Sequence, residues 1–264
     1  MTISQRIENG IEKIKNYRFL FSELVKRDFK KKYKRTVLGI FWSVLSPLLQ
    51  LLVMALVFTK FFGRGMNHYI IYLFTGNLIF SFYKDCTTGG MHSLMQNASI
   101  IKKINLPKYI FLLSKDVSSC INFLITLVIY FLFVIADGVP ITWRFILLIY
   151  PIILLLIFNI GVGFILSALF VLFKDIQYLY SIFTMLLSYL SAIFYTVNIF
   201  SPRTQMLFYL NPVYAFIAYS RFIVLQGVVP SLRLHLLLLF YSMIMLLIGC
   251  IFYKKLNYKF IYYL

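Results

Sequence analysis

The sequence predicts an all-α integral membrane protein of six transmembrane helices, with an N-terminal amphipathic interface helix and a re-entrant helical pair before the last span. Three observations carry that expectation. Of 264 residues, 61% are hydrophobic and only 13% charged, with a mean hydropathy of +0.87, too apolar for a chain that keeps water around its whole surface. Six apolar runs are long enough to cross a bilayer, which takes roughly 20 residues. Lys and Arg gather on one side of those runs.

Residues 1–36 form a charged, cytoplasmic N-terminal segment without an early apolar core before a small-residue cleavage site, so the first span is expected to be retained. In it Phe21, Leu24, Val25, Phe29, Tyr33 and Val37 recur at three- and four-residue steps, while Lys26, Arg27, Lys30, Lys31 and Lys34 fall mainly elsewhere on the wheel. That pattern reads as an amphipathic helix in the membrane interface. Its cations sit at phosphate depth, each contributing about 1 kcal/mol near an anionic surface; a plain topogenic anchor would read the same way. Residues 37–264 make the transmembrane domain, with runs at 37–62, 69–92, 110–136, 144–173, 177–197 and 232–253.

The breaks are a turn at "FGRGMNH", a basic loop "NASIIKKINLPKY", a turn "ADGVPIT", a short polar break "FKDIQY" and the long segment 198–231. In that last segment Ser201 precedes Pro202 and Asn211 precedes Pro212, each an N-cap followed by proline at the first helical position. The second helix runs from Pro212 to about Gln226, with Gly227 as its stop, and at roughly 15 residues it is too short to span. A re-entrant pair fits, since irregular backbone at membrane depth needs protein or a watery cavity beside it; a helix lying flat on the outer surface is the alternative.

Residues 1–36, the loop bearing Lys102, Lys103, Lys108 and Lys115, the break at Lys174 and the tail with Lys254, Lys255 and Lys259 carry 19 of the 26 Lys and Arg residues. That side is read as cytoplasmic, with both termini inside the cytoplasmic membrane, and topology then accounts for most of the net charge of +18 without nucleic acid. Cys86, Cys120 and Cys250 lie in apolar runs with no CxxC pair and no neighbouring His, so neither a disulfide framework nor a metal site is expected. There is no GxxxxGK[ST] loop, and the three histidines, His68, His92 and His235, come without HExxH, GxSxG or DxD patterns, so catalysis by this chain is not expected.

The stretch "KRDFKKKYKRTVLGIFWSVLSPLL" resembles the N-terminal signature of ABC-2 permeases that export cell-surface polysaccharides, the membrane subunits of O-antigen, capsule and teichoic acid transporters. Arg27-Asp28, Tyr33, Leu38-Gly39, Phe41-Trp42 and Pro47 carry the likeness. In the same order, "NASIIKKINLPKYI" is similar to the loop after the second span, "LFKDIQYL" to the break after the fourth and "LNPVYAFIAYSRFIVLQG" to the Asn-Pro element before the sixth. Lys174 stands where that family usually has Arg, which preserves the charge.

The resemblance implies a homodimer of six-span subunits, each docked on a cytoplasmic ATP-binding subunit that holds ATP and Mg, moving a polyprenyl-diphosphate-linked glycan outward. It implies that loop 97–109 couples to the ATPase, with Ile100, Ile101 and Ile104 to dock and Lys102, Lys103, Lys108 and Tyr109 beside them. A diphosphate at the inner interface calls for cations there, and Arg27, Lys30, Lys31, Lys34 and Arg35 are the candidates. A sugar chain calls for weak aromatic contacts along its passage, for which Phe41, Trp42, Phe194, Tyr195, Tyr209, Tyr214 and Tyr219 are the candidates.

Lys84 and Asp85 interrupt the second span, with Lys84 expected to snorkel and Asp85 to meet a partner helix or a watery passage. Arg221 is expected to anchor the short outer helix at headgroups. Two other readings stay open: an ABC-2 exporter of a drug or small lipid, and a proton-coupled secondary transporter using Asp85, although the six runs show no internal repeat.

Overall fold

The computed structural model describes residues 17–31, 38–62, 67–103, 106–258 and 260–263. Among these, every regular element is helical. Helix α1 covers residues 17–31. It is followed by α2 (Trp42–Phe62), α3 (Tyr69–Gln96), α4 (Ala98–Lys103), α5 (Tyr109–Ala136), α6 (Ile149–Leu172), α7 (Ile176–Leu190), α8 (Pro202–Phe208), α9 (Pro212–Val224), α10 (Leu232–Leu256) and α11 (Phe260–Tyr263).

Among the described residues, three helical segments have the length and hydropathy to cross a membrane by themselves: Tyr109–Ala136, Trp143–Leu172 and Leu232–Leu256. The bent pair α8 and α9, turned through 107°, meets the same test jointly. Helices α2, α3 and α7 occupy the places of the remaining expected spans. Helix α3 is long enough but carries Thr75, Asn77, Ser81, Lys84, Asp85 and Thr87, polar groups that a lipid-facing helix would leave unsatisfied. It is the central helix, packed along α5 and α6 and touched by α2 and α9.

Packing against α6 fixes the frame. A Cβ on Gly161 of α6 or on Gly249 of α10 would collide with the facing backbone, so these two helices touch main chain to main chain. In lipid, where apolar side chains gain little from leaving solvent, such small-residue contact is what draws helices together.

Helix α1 carries its apolar face inward, as the spacing predicts, but packs that face on protein. Leu24 is 3% exposed, and Tyr17, Leu20 and Phe21 lie against a cluster containing Leu94, Ile101, Phe111, Phe164 and Phe260. The N-terminal helix, the 97–109 loop and the C-terminal tail therefore meet at one end of the bundle.

Both proline-led helix starts in segment 198–231 form as the sequence predicts. The Thr204 amide donates to Ser201 Oγ at 3.4 Å and the Val213 amide to Asn211 Oδ1 at 3.0 Å. Helix α9 ends near the expected stop, with Gly227 at φ +59°. The fifth run is shorter than predicted: α7 ends at Leu190, and Ala192 adopts a φ of +47°, a left-handed turn rare for a residue with a Cβ.

Candidate functional site

Within the membrane-spanning body, α2, α3, α5 and the end of α7 enclose a groove of about 700 Å³. Its polar lining comes from stripes at helical spacing. Helix α2 supplies Ser43, Ser46 and Gln50, α3 supplies Asn77, Ser81, Lys84 and Asp85, and α5 supplies Ser119, Asn122 and Thr126. Residues three or four apart share one helical face, so each series lines one wall. Ser188 adds a hydroxyl from α7. Apolar surfaces interrupt the walls: Trp42, Phe194, and the rings of Phe82 and Phe123, stacked with centroids 4.3 Å apart. A cavity of hydroxyls, amides and ring faces suits a solute with many hydroxyl groups and exposed C–H faces, since it offers repeated contacts of modest strength.

The aromatic candidates divide. Trp42 and Phe194 line the groove, and Phe194 stacks on Phe58 at 4.7 Å. Phe41 is exposed and does not line the groove. Tyr195 packs edge-on against Phe200 and Phe208 and donates its hydroxyl to the Tyr189 carbonyl at 2.8 Å. Tyr214 and Tyr219 correct the expectation: they are 4% and 0% exposed, enclosed within the subunit, and the Tyr219 hydroxyl sits 2.8 Å from His235 Nε2. Tyr209 packs edge-on against Tyr214. Tyr214 and Tyr219 face into the subunit, Tyr209 is half-buried beside the first turns of α10, and none of the three lines the groove.

Arg221 corrects a second expectation. It is 6% exposed, not at the headgroups. Its guanidinium donates to the carbonyls of Ala192 at 2.9 Å, Ile193 at 3.2 Å and Tyr72 at 3.1 Å, and lies 3.4 Å from the centre of the Tyr72 ring. The carbonyls at the end of α7 and in the chain just past it are supplied in sequence. Asn211 donates to Leu190 at 3.3 Å, Arg221 to Ala192 and Ile193, Tyr69 to Phe194 at 2.7 Å and Tyr72 to Tyr195 at 2.7 Å. Chain that leaves a helix at membrane depth has no ladder for its carbonyls; here side chains of α3 and α9, with the Asn211 cap, take that role, and the unwound chain brings Phe194 to the groove. Gly76 makes the space, since a Cβ there would stand 2.7 Å from Arg221 Nη2.

At the opposite end, Arg27 donates to Asp28 Oδ1 at 2.8 Å through Nη2 and at 3.0 Å through Nε, and Lys115 Nζ lies 3.4 Å from the same oxygen. Asp28 is buried and joins α1 to α5. Of the proposed diphosphate cations, Arg27 is therefore already paired, Lys30 and Lys31 are exposed, and Lys34 and Arg35 lie outside the described residues.

In the 97–109 loop, Lys102, Lys103 and Tyr109 are exposed and Ile100 is half-buried. Ile101 is 8% exposed within the cluster beneath α1, so its side chain serves the subunit's own core instead of a docking face. Lys108 likewise turns inward, donating to the Asn257 carbonyl at 2.8 Å over the Phe260 ring, and burial lowers its pKa from the usual lysine value. Ile104 lies outside the described residues.

Sequence reasoning missed the serine and amide stripes of the groove. The signal was present as polar residues at three- and four-residue steps within apolar runs, at 43, 46 and 50 and again at 119, 122 and 126. No group of three or more His, Cys, Asp or Glu residues suited to a metal occurs among the described residues.

A family model described as ABC-2 type transporter matches residues 20–225. Two relatives from Klebsiella pneumoniae, each named O-antigen export system permease protein RfbA, are 28% identical over 252 residues, covering 93% of this chain and 96% of their own. A relative of that name from Myxococcus xanthus is 27% identical over 205 residues, 76% of this chain and 78% of its own.

Proposed function

The chain belongs to the ABC-2 type transporter family, and from that premise we propose that it is the six-span permease subunit of an ABC exporter that moves a lipid-linked cell-surface polysaccharide across the cytoplasmic membrane. The observation that carries this reading is the polar groove, whose hydroxyl and amide walls with interspersed rings suit a sugar chain better than an apolar drug or a small lipid. A separate ATP-binding subunit supplies the energy, and both termini are cytoplasmic. A second copy of the chain, placed against the open side of the groove, would close it into a passage.

In this reading the exposed cations Lys30 and Lys31, with Lys34 and Arg35, receive the polyprenyl diphosphate, and Asp28, paired with Arg27 of its own helix, holds α1 to α5 through Lys115. The ATPase contact falls on Lys102, Lys103, Tyr109 and the free edge of Ile100. Trp42 and Phe194 give the glycan its ring contacts.

The test uses the chain purified with its partner and reconstituted in vesicles with lipid-linked glycan. Replacing Asn77 and Asn122 together by Leu is expected to cut glycan export at least about tenfold, the scale of a pair of lost hydrogen bonds, while copurification of the ATPase stays at the wild-type level. Unchanged export by that double variant would falsify the groove as the passage. Replacing Lys102 and Lys103 by Glu is expected to release the ATPase; its full retention would place the coupling contact elsewhere.

A further inference from the structure

At the end of the bundle remote from α1 and the C-terminal tail, a second cavity of about 620 Å³ opens between the turn after α9 and the first turns of α10. Its size falls within the range of ordinary small-ligand pockets, about 300–1,000 Å³. None of its lining residues is shared with the polar groove. Phe222, Val228, Leu234 and Leu237 make an apolar wall, and Gln226 and Arg233 bring polar groups to it.

The wall is built in advance. Gly227 turns the chain at φ +59°, the Val228 amide donates to the Phe222 carbonyl at 3.1 Å, and the Arg144 guanidinium donates to the Gly227 carbonyl. A ligand entering a preformed wall meets little ordering cost. Arg233 is exposed, no acidic residue occupies the first turn of α10, and no ion pair to Arg233 occurs among the described residues.

A cation beside an apolar cleft is complementary to a molecule with a phosphate at one end and hydrocarbon at the other. A free sugar or a free anion would leave the apolar wall uncovered. We propose that this cavity binds an anionic glycerophospholipid of the adjoining leaflet, its phosphate on Arg233 and one acyl chain along Phe222, Leu234 and Leu237. The site stands apart from the groove and does not depend on the identity of the exported molecule. A phosphate on a lipid carrier would offer similar headgroup chemistry, but a carrier passing through the groove would not meet these residues.

The experiment is native mass spectrometry and thermal melting of the full chain in detergent with added phosphatidylglycerol. The wild type is expected to retain phosphatidylglycerol and to melt higher as it is titrated, while phosphatidylcholine and glycerol 1-phosphate have little effect. Arg233→Gln is expected to weaken retention about tenfold, the scale of one lost charge-assisted hydrogen bond, and Arg233→Lys to keep most of it. Leu237→Trp, which fills the cleft, is expected to abolish retention with Arg233 intact. Equal retention in wild type and both R233Q and L237W, or equal binding of phosphatidylcholine, would overturn the site. Preferential retention of lipid-linked glycan over phosphatidylglycerol would overturn the assigned occupant.

Discussion

Two arginines, Arg27 at one end of the bundle and Arg221 at the other, are held in opposite ways. Arg27 is partly exposed and meets a carboxylate, Asp28, which it shares with Lys115. Arg221 is buried, and it donates to the backbone carbonyls of Ala192, Ile193 and Tyr72 over one aromatic face. In the first arrangement a buried carboxylate is balanced by two cations, of which Arg27 keeps access to water. The second answers a different need, because a broken helix at membrane depth exposes carbonyls that lipid cannot satisfy. One planar fork supplies several of them at once, whereas an ammonium is a point charge without that geometry.

The comparison breaks most visibly at Arg221. Arg221→Met removes the donors to the end of α7, and at about 1–3 kcal/mol for each buried carbonyl left open the variant is expected to lose most folded protein, read as a collapsed size-exclusion peak in mild detergent. Arg221→Lys is expected to recover less than half of it; full recovery would mean that charge alone suffices. Gly76→Ala drives a methyl against the guanidinium and is expected to cost about 1–3 kcal/mol, as overpacking does. Combined with R221M it should add almost nothing, so an additive double variant would separate Gly76 from Arg221.

Smaller effects follow at the other end. Asp28→Asn takes the shared, buried carboxylate from Arg27 and the largely covered Lys115 and is expected to lower stability by about 1.5–3 kcal/mol, the scale of hydrogen bonds to a charged group, seen as a drop in melting temperature of which high salt in the wild type reproduces only a part. The exchange of Asp28→Lys with Lys115→Asp should restore most of that loss. If D28N instead matched R221M in severity, the two ends would not differ in kind. Smallest of all, Asn122→Leu is expected to lower stability by no more than about 1 kcal/mol, the scale of a side-chain hydrogen bond such as the one it donates to the Ser118 carbonyl at 3.3 Å.

What the sequence made legible follows from how local each signal is. The Ser201-Pro202 and Asn211-Pro212 starts and the Gly227 stop depend on neighbours within a turn, and all three form where expected. The apolar runs located the long helices because lipid imposes one length on every crossing. The end of α7 was not legible, since apolarity continues past Leu190 and the chain beyond it is held by Arg221, twenty-nine positions along the chain from Ala192 but bonded to its carbonyl. The same limit explains Tyr214, Tyr219 and Ile101. An aromatic or an isoleucine reads alike whether it faces a passage, a partner or its own core, and only packing decides. Arg221 itself was visible as a cation inside an apolar helix, but its partners were not.

The main-chain contact between Gly161 and Gly249 has a mechanical consequence. With no side-chain layer between them to slide or re-pack, α6 and α10 behave as a single stiff beam, and α3 is laid along that beam. The compliant members are α2 and α7, which have few neighbours and stand on either flank of the groove. A force delivered at the α1 end would therefore bend the flanks about a rigid spine, so that the bore of the groove changes while its back wall stays still.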